Sequence, residues 1–422
     1  MLKIKDIRIA LYVCIGLMFA NGYSQNYLSS PYSRYGVGDM MARTSMANVA
    51  MGGVAYAFQS PTVINFANPA GYAAFDSLSC LVDASFSFKT HTLRGASSSQ
   101  KGSTAFIDYI SVGLPICKWW RTALGYQPFS NMSYGIYTQD TLGEMGAYQT
   151  SFMGDGGINE VYWGNSFTLF KHFSVGLNAS FLFGKYSKMR SVKFEDSYAV
   201  NTVISRSNNV KGAYFTVGAQ YLVPIKNSRL GFGVTYTPSV KLWSKEEYLI
   251  TTYLGNKEDE ILDTLYKEDM LKRVHRMPQI VGGGLSWGKP DKYFIGVDFT
   301  WSQWSKYTLD GESDSLVDAY KIAIGGNVTP NYLSSKYIAR INISFGFSYE
   351  MSRLKLFDEQ INRYGINFGL YFPMKKGKTT IGVVLEYGQI GTTRANLLKE
   401  NYFSASINVR LHEKWYQRLK LE

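Results

Sequence analysis

The sequence predicts an all-β fold: a transmembrane antiparallel β-barrel of 14 strands, with an N-terminal hatch plugging the lumen. Three observations predict it. From residue 77 onward, apolar residues alternate with small or polar ones over stretches long enough to cross a bilayer as tilted strands. The links between these stretches alternate between short and long. The 422 residues include 32 Tyr, 25 Phe and 40 Gly, with 15% aromatics and a mean hydropathy of −0.13. That mix suits strands flanked by interfacial aromatic belts. No run of about 18 apolar residues follows the N-terminus, which argues against a helical membrane protein.

Residues 1–24 read as a secretory signal peptide. Lys3, Lys5 and Arg8 form its basic start, residues 9–20 its apolar core, and Gly22, Tyr23 and Ser24 a small-x-small cleavage site before Gln25. Cys14 does not read as a lipidation site, because Val13 before it is not small. The signal carries three cations and Asp6, so about +10 remains of the formal charge of +12. The remaining cations are spread along turns and loops. Anionic lipid head groups fit that spread better than nucleic acid does.

Residues 25–76 contain no convincing strand and are expected to form the hatch. Thr44 or Ser45 is placed to cap a short helix through Met51, ended by Gly52 and Gly53. Residues 61–72 (PTVINFANPAGY) are apolar, poor in charge and without helical or strand period. Such a stretch needs partners for its backbone groups, and the interior of a barrel supplies them.

The barrel is expected over residues 77–412, with a periplasmic C-terminal tail at 413–422. Strands are expected near 77–92, 102–114, 119–138, 158–170, 173–195, 209–223, 229–250, 278–287, 293–304, 317–328, 337–352, 361–372, 378–389 and 401–412. Links after even strands are short, as at 115–118 and 171–172. Most links after odd strands are longer, as at 139–157, 196–208 and 251–277. Short turns on one side and long loops on the other is how outer-membrane barrels are built, and it places both termini in the periplasm. Trp119, Trp120 and Trp287 fall on the short-turn side, and Trp243, Trp301 and Trp304 toward the long loops, as two belts would require. Within the longest loop, residues 258–274 carry an apolar stripe of Ile261, Leu262, Leu265, Tyr266 and Val274 that reads as an amphipathic helix.

Several residues are candidates for function. Asp83, Asp298, Lys321, Arg340, Glu386 and Arg410 fall on the polar faces of strands and are expected in the lumen, paired with each other or with the hatch. Asp83 on the first strand and Arg410 on the last are placed to meet where the barrel closes. Asp108 shares parity with Phe106, Ile110, Val112 and Leu114, so a bulge or a different register is expected there. Pro128, between Gln127 and Phe129, cannot donate to a ladder and must break pairing on one side, either as a kink that opens a sideways gap or as a harmless bulge. Cys80 and Cys117 can pair or simply pack. Four scattered His and these two Cys do not make a metal site, and no nucleophile–base constellation or P-loop occurs, so neither a cofactor nor an enzyme is expected.

The motifs resemble the FadL/TodX-type family of outer-membrane transporters for hydrophobic compounds. The resemblance rests on residues 50–57 (AMGGVAYA) followed by 65–71 (NFANPAG), which looks like the family's hatch with its Asn68, Pro69, Ala70 and Gly71. It extends to 156–160 (GGINE), Met277 with Pro278, 298–305 (DFTWSQWS) and 412–415 (HEKW), while 30–36 (SPYSRYG) looks like versions found in Bacteroidota. The resemblance implies a hatch-gated barrel in the cell outer membrane. An apolar small molecule, such as a long-chain fatty acid or an aromatic compound, would pass by diffusion and leave sideways at the kink. The implied partners are outer-membrane lipid and that hydrophobic ligand. The polar 196–208 and charged 251–277 depart from the apolar capture loops of the family. They keep a second expectation open: a non-transporting barrel subunit of a larger outer-membrane assembly or secretion complex, partnered by other outer-membrane proteins.

Overall fold

The structure, a computed structural model, describes residues 30–414 apart from 78, 96–98, 144–145, 197, 256–260, 314–315 and 375–378. The signal peptide and residues 415–422 of the tail lie outside the described residues. So do the ends of the chain, on which the expectation of two periplasmic termini falls.

Fourteen wall strands form one closed antiparallel sheet. In chain order they are β1 (Ser79–Arg94), β2 (Ser99–Pro115), β3 (Trp120–Asn131, resuming as Tyr134–Thr141), β4 (Ala147–Phe170), β5 (Phe173–Phe194), β6 (Val200–Ile225) and β7 (Ser228–Thr237, resuming as Lys241–Leu254). They continue as β8 (Ile261–Arg276, resuming as Ile280–Lys289), β9 (Tyr293–Ser302), β10 (Ala319–Val328), β11 (Asn342–Leu356), β12 (Glu359–Pro373), β13 (Thr380–Gly391) and β14 (Lys399–Lys414). Each strand pairs with its neighbours, and β1 pairs with both β2 and β14, which closes the barrel. Closure pairs most of the wall's backbone, as lipid requires of groups that water cannot reach.

The period-two pattern has the expected sense. In β6, Val210, Tyr214, Thr216 and Gln220 are buried, while Phe215, Val217 and Tyr221 are exposed toward lipid. In β1, Asp83, Ser85 and Ser87 are buried and Phe86 and Phe88 exposed. Asp108 resolves as a bulge. The register slips between Ser85 and Phe86, and Asp108 turns inward to accept hydrogen bonds from Ser85 (2.7 Å) and Ser87 (2.6 Å). The extra residue resets the parity, so Ile107 and Ile110 both face out.

Four expectations need correction. Residues 261–276 are strand, not helix: they pair along the upper part of β7, Trp243 opposite Val274 and Tyr248 opposite Glu268. Ile261, Leu262, Leu265 and Tyr266 are all exposed, so a helix would have no core to pack its stripe against, whereas the ladder with β7 pairs most of the backbone along one side. The long links at 139–157 and 196–208 are likewise largely strand, because the hairpins β4–β5 and β5–β6 keep pairing beyond the barrel. Tyr337–Arg340 is a 3-10 turn, and β11 starts only at Asn342. Trp304 does not join a belt; it is buried beneath the Arg353 guanidinium, 4.4 Å from its ring centre. Trp119, Trp243 and Trp287 are exposed. Cys80 and Cys117 are free thiols.

Candidate functional site

The N-terminal segment lies inside the barrel. A 3-10 turn at Pro31–Arg34 sits at the long-loop end, where the Tyr32 hydroxyl donates to the Leu398 carbonyl. The segment then descends to join β1 at the short-turn end. Ser45 precedes the short helix Met46–Val49, and Gly52 and Gly53 end it with positive φ. From there the segment runs around the inner wall against the strand order. Ala50 meets β12, Met51 and Gly52 meet β10 and β11, Val54 meets β9, Tyr56 meets β7, Asn68 meets β6 and Ala70 meets β5. The wall is bare where they touch. A side chain at Gly233 would run into the Tyr56 backbone, and one at Gly346 into that of Met51 and Gly52.

Lumen side chains hold the segment by its backbone. Asp298 on β9 accepts the amides of Ala55 (2.6 Å) and Tyr56 (2.8 Å). Asn178 on β5 donates to the Phe66 carbonyl at 2.9 Å, and Ser166 and Ser174 donate to that of Ala70. Asn68 bridges the segment to itself, donating to Tyr56 at 2.7 Å and accepting the Ala70 amide at 3.1 Å. Pro69 then opens a second 3-10 turn, Pro69–Ala74. Asn68, Pro69, Ala70 and Gly71 are all buried.

Two ion pairs also join the segment to the wall. Arg43 grips Glu160 of β4 with two bonds, Nε to Oε2 at 2.9 Å and Nη2 to Oε1 at 2.8 Å. Glu160 is 1% exposed and also accepts from Ser180 (2.6 Å) and Gln127 (2.9 Å). A second pair joins Asp39 to Arg363 of β12 at 2.8 Å. Sequence reasoning missed Arg43 and Asp39, which stand in a segment with no period to assign a face. Glu160 had a signal, since it shares parity with inward Ile158 and Tyr162.

At Gln127, Pro128 and Phe129 the register against β4 slips between Pro128 and Ser130, and Phe129 turns fully into the core. On its other side β3 pairs with β2 only from Arg121 to Tyr126. Above that, the vacated edge of β3 is taken by the segment. Asp39–Met40 forms a two-residue strand opposite Asn131 and Ser130, and the Met41 amide donates to the Phe129 carbonyl at 3.1 Å. That short strand was not expected within residues 25–76. Between the upper parts of β2 and β3, the described residues show no ladder.

The remaining lumen candidates scatter. Asp83 and Arg410 are opposite each other in register but form no ion pair. Asp83 accepts from Tyr109 (2.9 Å) and Asn408 (2.7 Å), and Arg410 stacks on Tyr371 at 4.1 Å. Glu386 accepts from Tyr402 at 2.6 Å. Lys321 and Glu386 line a cavity of about 330 Å³ above the segment, with Asp39, Glu350 and Arg363 among its other walls. Arg340 and Arg410 line a cavity of about 580 Å³ at the short-turn end. Residues 68–72 line neither cavity.

The closed 14-stranded wall matches the FadL-type barrels in fold. A Pseudomonas aeruginosa FadL homologue superimposes with a TM-score of 0.58 at 12% identity, covering 90% of this chain and 100% of its own. The Pseudomonas putida toluene transporter TodX gives 0.58 at 13%, covering 90% and 100%, and the Ralstonia pickettii toluene transporter TbuX 0.57 at 12%, covering 88% and 98%. At these identities the likeness is one of fold. No curated protein matches the chain. The sequence model of the BamG family matches residues 3–422, and the chain belongs to that family.

Proposed function

We propose that this protein is a sealed barrel subunit of a larger outer-membrane assembly complex, with the N-terminal segment acting as a fixed plug. The observation that carries the reading is the occupied edge of β3: Asp39–Met40 pairs where a sideways exit would have to open. The charged walls of the upper cavity agree, since an apolar ligand there would strip water from Asp39, Lys321, Glu350 and Arg363. Membership of the BamG family supports an assembly role over cargo transport. The test is native purification in mild detergent, with depletion of the protein in cells. Stoichiometric outer-membrane partners and a fall in other outer-membrane proteins are expected, with uptake of labelled toluene and long-chain fatty acid unchanged. Loss of uptake with a normal outer membrane and no partners would overturn the reading.

A second reading has its own observation. The absence of a ladder between upper β2 and β3 favours passive passage of hydrophobic small molecules, leaving sideways beside Gln127, Pro128 and Phe129. On that reading residues 68–71 form a hatch that moves, and the uptake arm of the same experiment decides it.

A further inference from the structure

We infer that the cavity at the short-turn end of the barrel is a binding site for a small oxyanion, a phosphate or carboxylate group, centred on Arg410. The cavity encloses about 580 Å³ beneath residues 57–63 of the plug. Arg229, Lys289, Lys292, Arg340 and Arg410 line it, against only Asp76 and Asp291. Asp76 lies 3.2 Å from the His412 imidazole, and Asp291 is exposed at the rim. The floor is therefore positive, and it is separated from lipid by the wall.

Four of the lining side chains present donors that are shielded from solvent and have no acceptor among the described residues: Arg410 Nε, Arg340 Nε, Tyr371 Oη and Thr380 Oγ1. Buried donors are almost always satisfied, so four around one cavity need an explanation. They belong to adjacent elements. Thr380 stands directly opposite Arg410 in the β13–β14 ladder, and the Arg410 guanidinium lies 4.1 Å from the Tyr371 ring centre. Asn342, two residues beyond Arg340, stands opposite Tyr371. Arg410 is 8% exposed. Asp83, the carboxylate opposite it in the ladder, bonds Tyr109 and Asn408 and does not line the cavity. An oxyanion can accept from each of these three donor types, and guanidinium groups give it the charge-assisted bonds that hold such ligands. Scaffold or channel, the barrel keeps this site below the segment that closes its lumen.

The test is calorimetric titration of the full chain in detergent with inorganic phosphate and, separately, with citrate, using chloride as the control for bulk ionic effects. Saturable binding of either anion is expected, and competition between them shows one shared site. The preferred probe tells whether the natural ligand carries phosphate or carboxylate. Arg410→Met should weaken binding by about tenfold or more, and Tyr371→Phe and Thr380→Val by smaller factors with every charge retained. The two neutral variants keep the test decisive if Arg410→Met does not fold. Absence of saturable binding up to about 10 mM overturns the inference, as does binding that these substitutions leave unchanged.

Discussion

Cutting the Arg43–Glu160 tether is the perturbation that measures how firmly the plug is held. Arg43→Ala removes both guanidinium bonds and leaves Glu160, 1% exposed, with only Gln127 and Ser180. Breaking a buried pair from one side costs about 3–5 kcal/mol, because the orphaned charge stays buried. At about 1.4 kcal/mol per decade, that is roughly two to three and a half orders of magnitude in local opening. Hydrogen exchange of residues 41–58 should accelerate by that factor while the wall strands stay protected. Heat-modified migration on a gel should report an intact barrel. Arg43→Met combined with Glu160→Leu removes both charges and should recover most of the protection. If Arg43→Ala changes exchange by less than about threefold, the pair is not the anchor and the fixed-plug reasoning fails.

Three further outcomes follow from the same contacts. Asp298→Ala takes the charged acceptor from the Ala55 and Tyr56 amides, about 1.5–3 kcal/mol for each bond, and should expose those two amides to exchange before their neighbours. Gly233→Ala drives a methyl into the Tyr56 backbone and should lower the thermal midpoint by an overpacking cost of about 1–3 kcal/mol, whereas Gly283→Ala, which points into open space, should be silent. Burial pushes the Asp39 carboxyl up, but the charges of Arg363, Arg353 and Lys89 outweigh it and hold it below its ordinary 3.8. A depressed carboxylate stabilises above its unfolded value and loses that contribution as pH falls through the folded one. Protection of residues 30–44 should therefore be flat from about pH 7 to about pH 5 and decline only below about pH 4, and a decline centred near pH 6 would contradict the Asp39–Arg363 pair.

The wall was legible because a barrel strand writes its orientation into every second residue. Phe86 and Phe88 face out and Asp83 and Ser85 in, as their parity requires. The irregular positions were legible only as conflicts. Asp108 broke parity and Pro128 broke pairing, and each marks a register shift. Residues 261–276 misled because an amphipathic helix and a long exposed hairpin both tolerate their pattern. The neighbouring edge of β7 decides between them, and periodicity does not contain that edge. Contacts of the plug were invisible for a related reason. Arg43 and Asp39 find partners more than a hundred residues away, and nothing local fixes which face of an aperiodic chain carries them.

The bulge at Phe129 is where the proposed sealed wall would be closed. Pro128 obliges β3 to leave β2, and the freed edge needs donors and acceptors from somewhere. Asp39–Met40 and the Met41 amide supply them, and Arg43, two residues on, locks that arrangement to Glu160. Opening the exit would forfeit these backbone bonds, at about 0.5–1.5 kcal/mol each, and would pull Arg43 away from Glu160. A small apolar ligand bound with micromolar affinity has about 8 kcal/mol in total. Only the part of it that differs between closed and open states can shift the equilibrium. Such a ligand would have to direct a large part of its binding energy into parting these bonds, beside a cavity whose walls are charged. A protein partner burying a standard interface faces no such ceiling, so if this seam ever opens, a macromolecule is the agent the energetics allow.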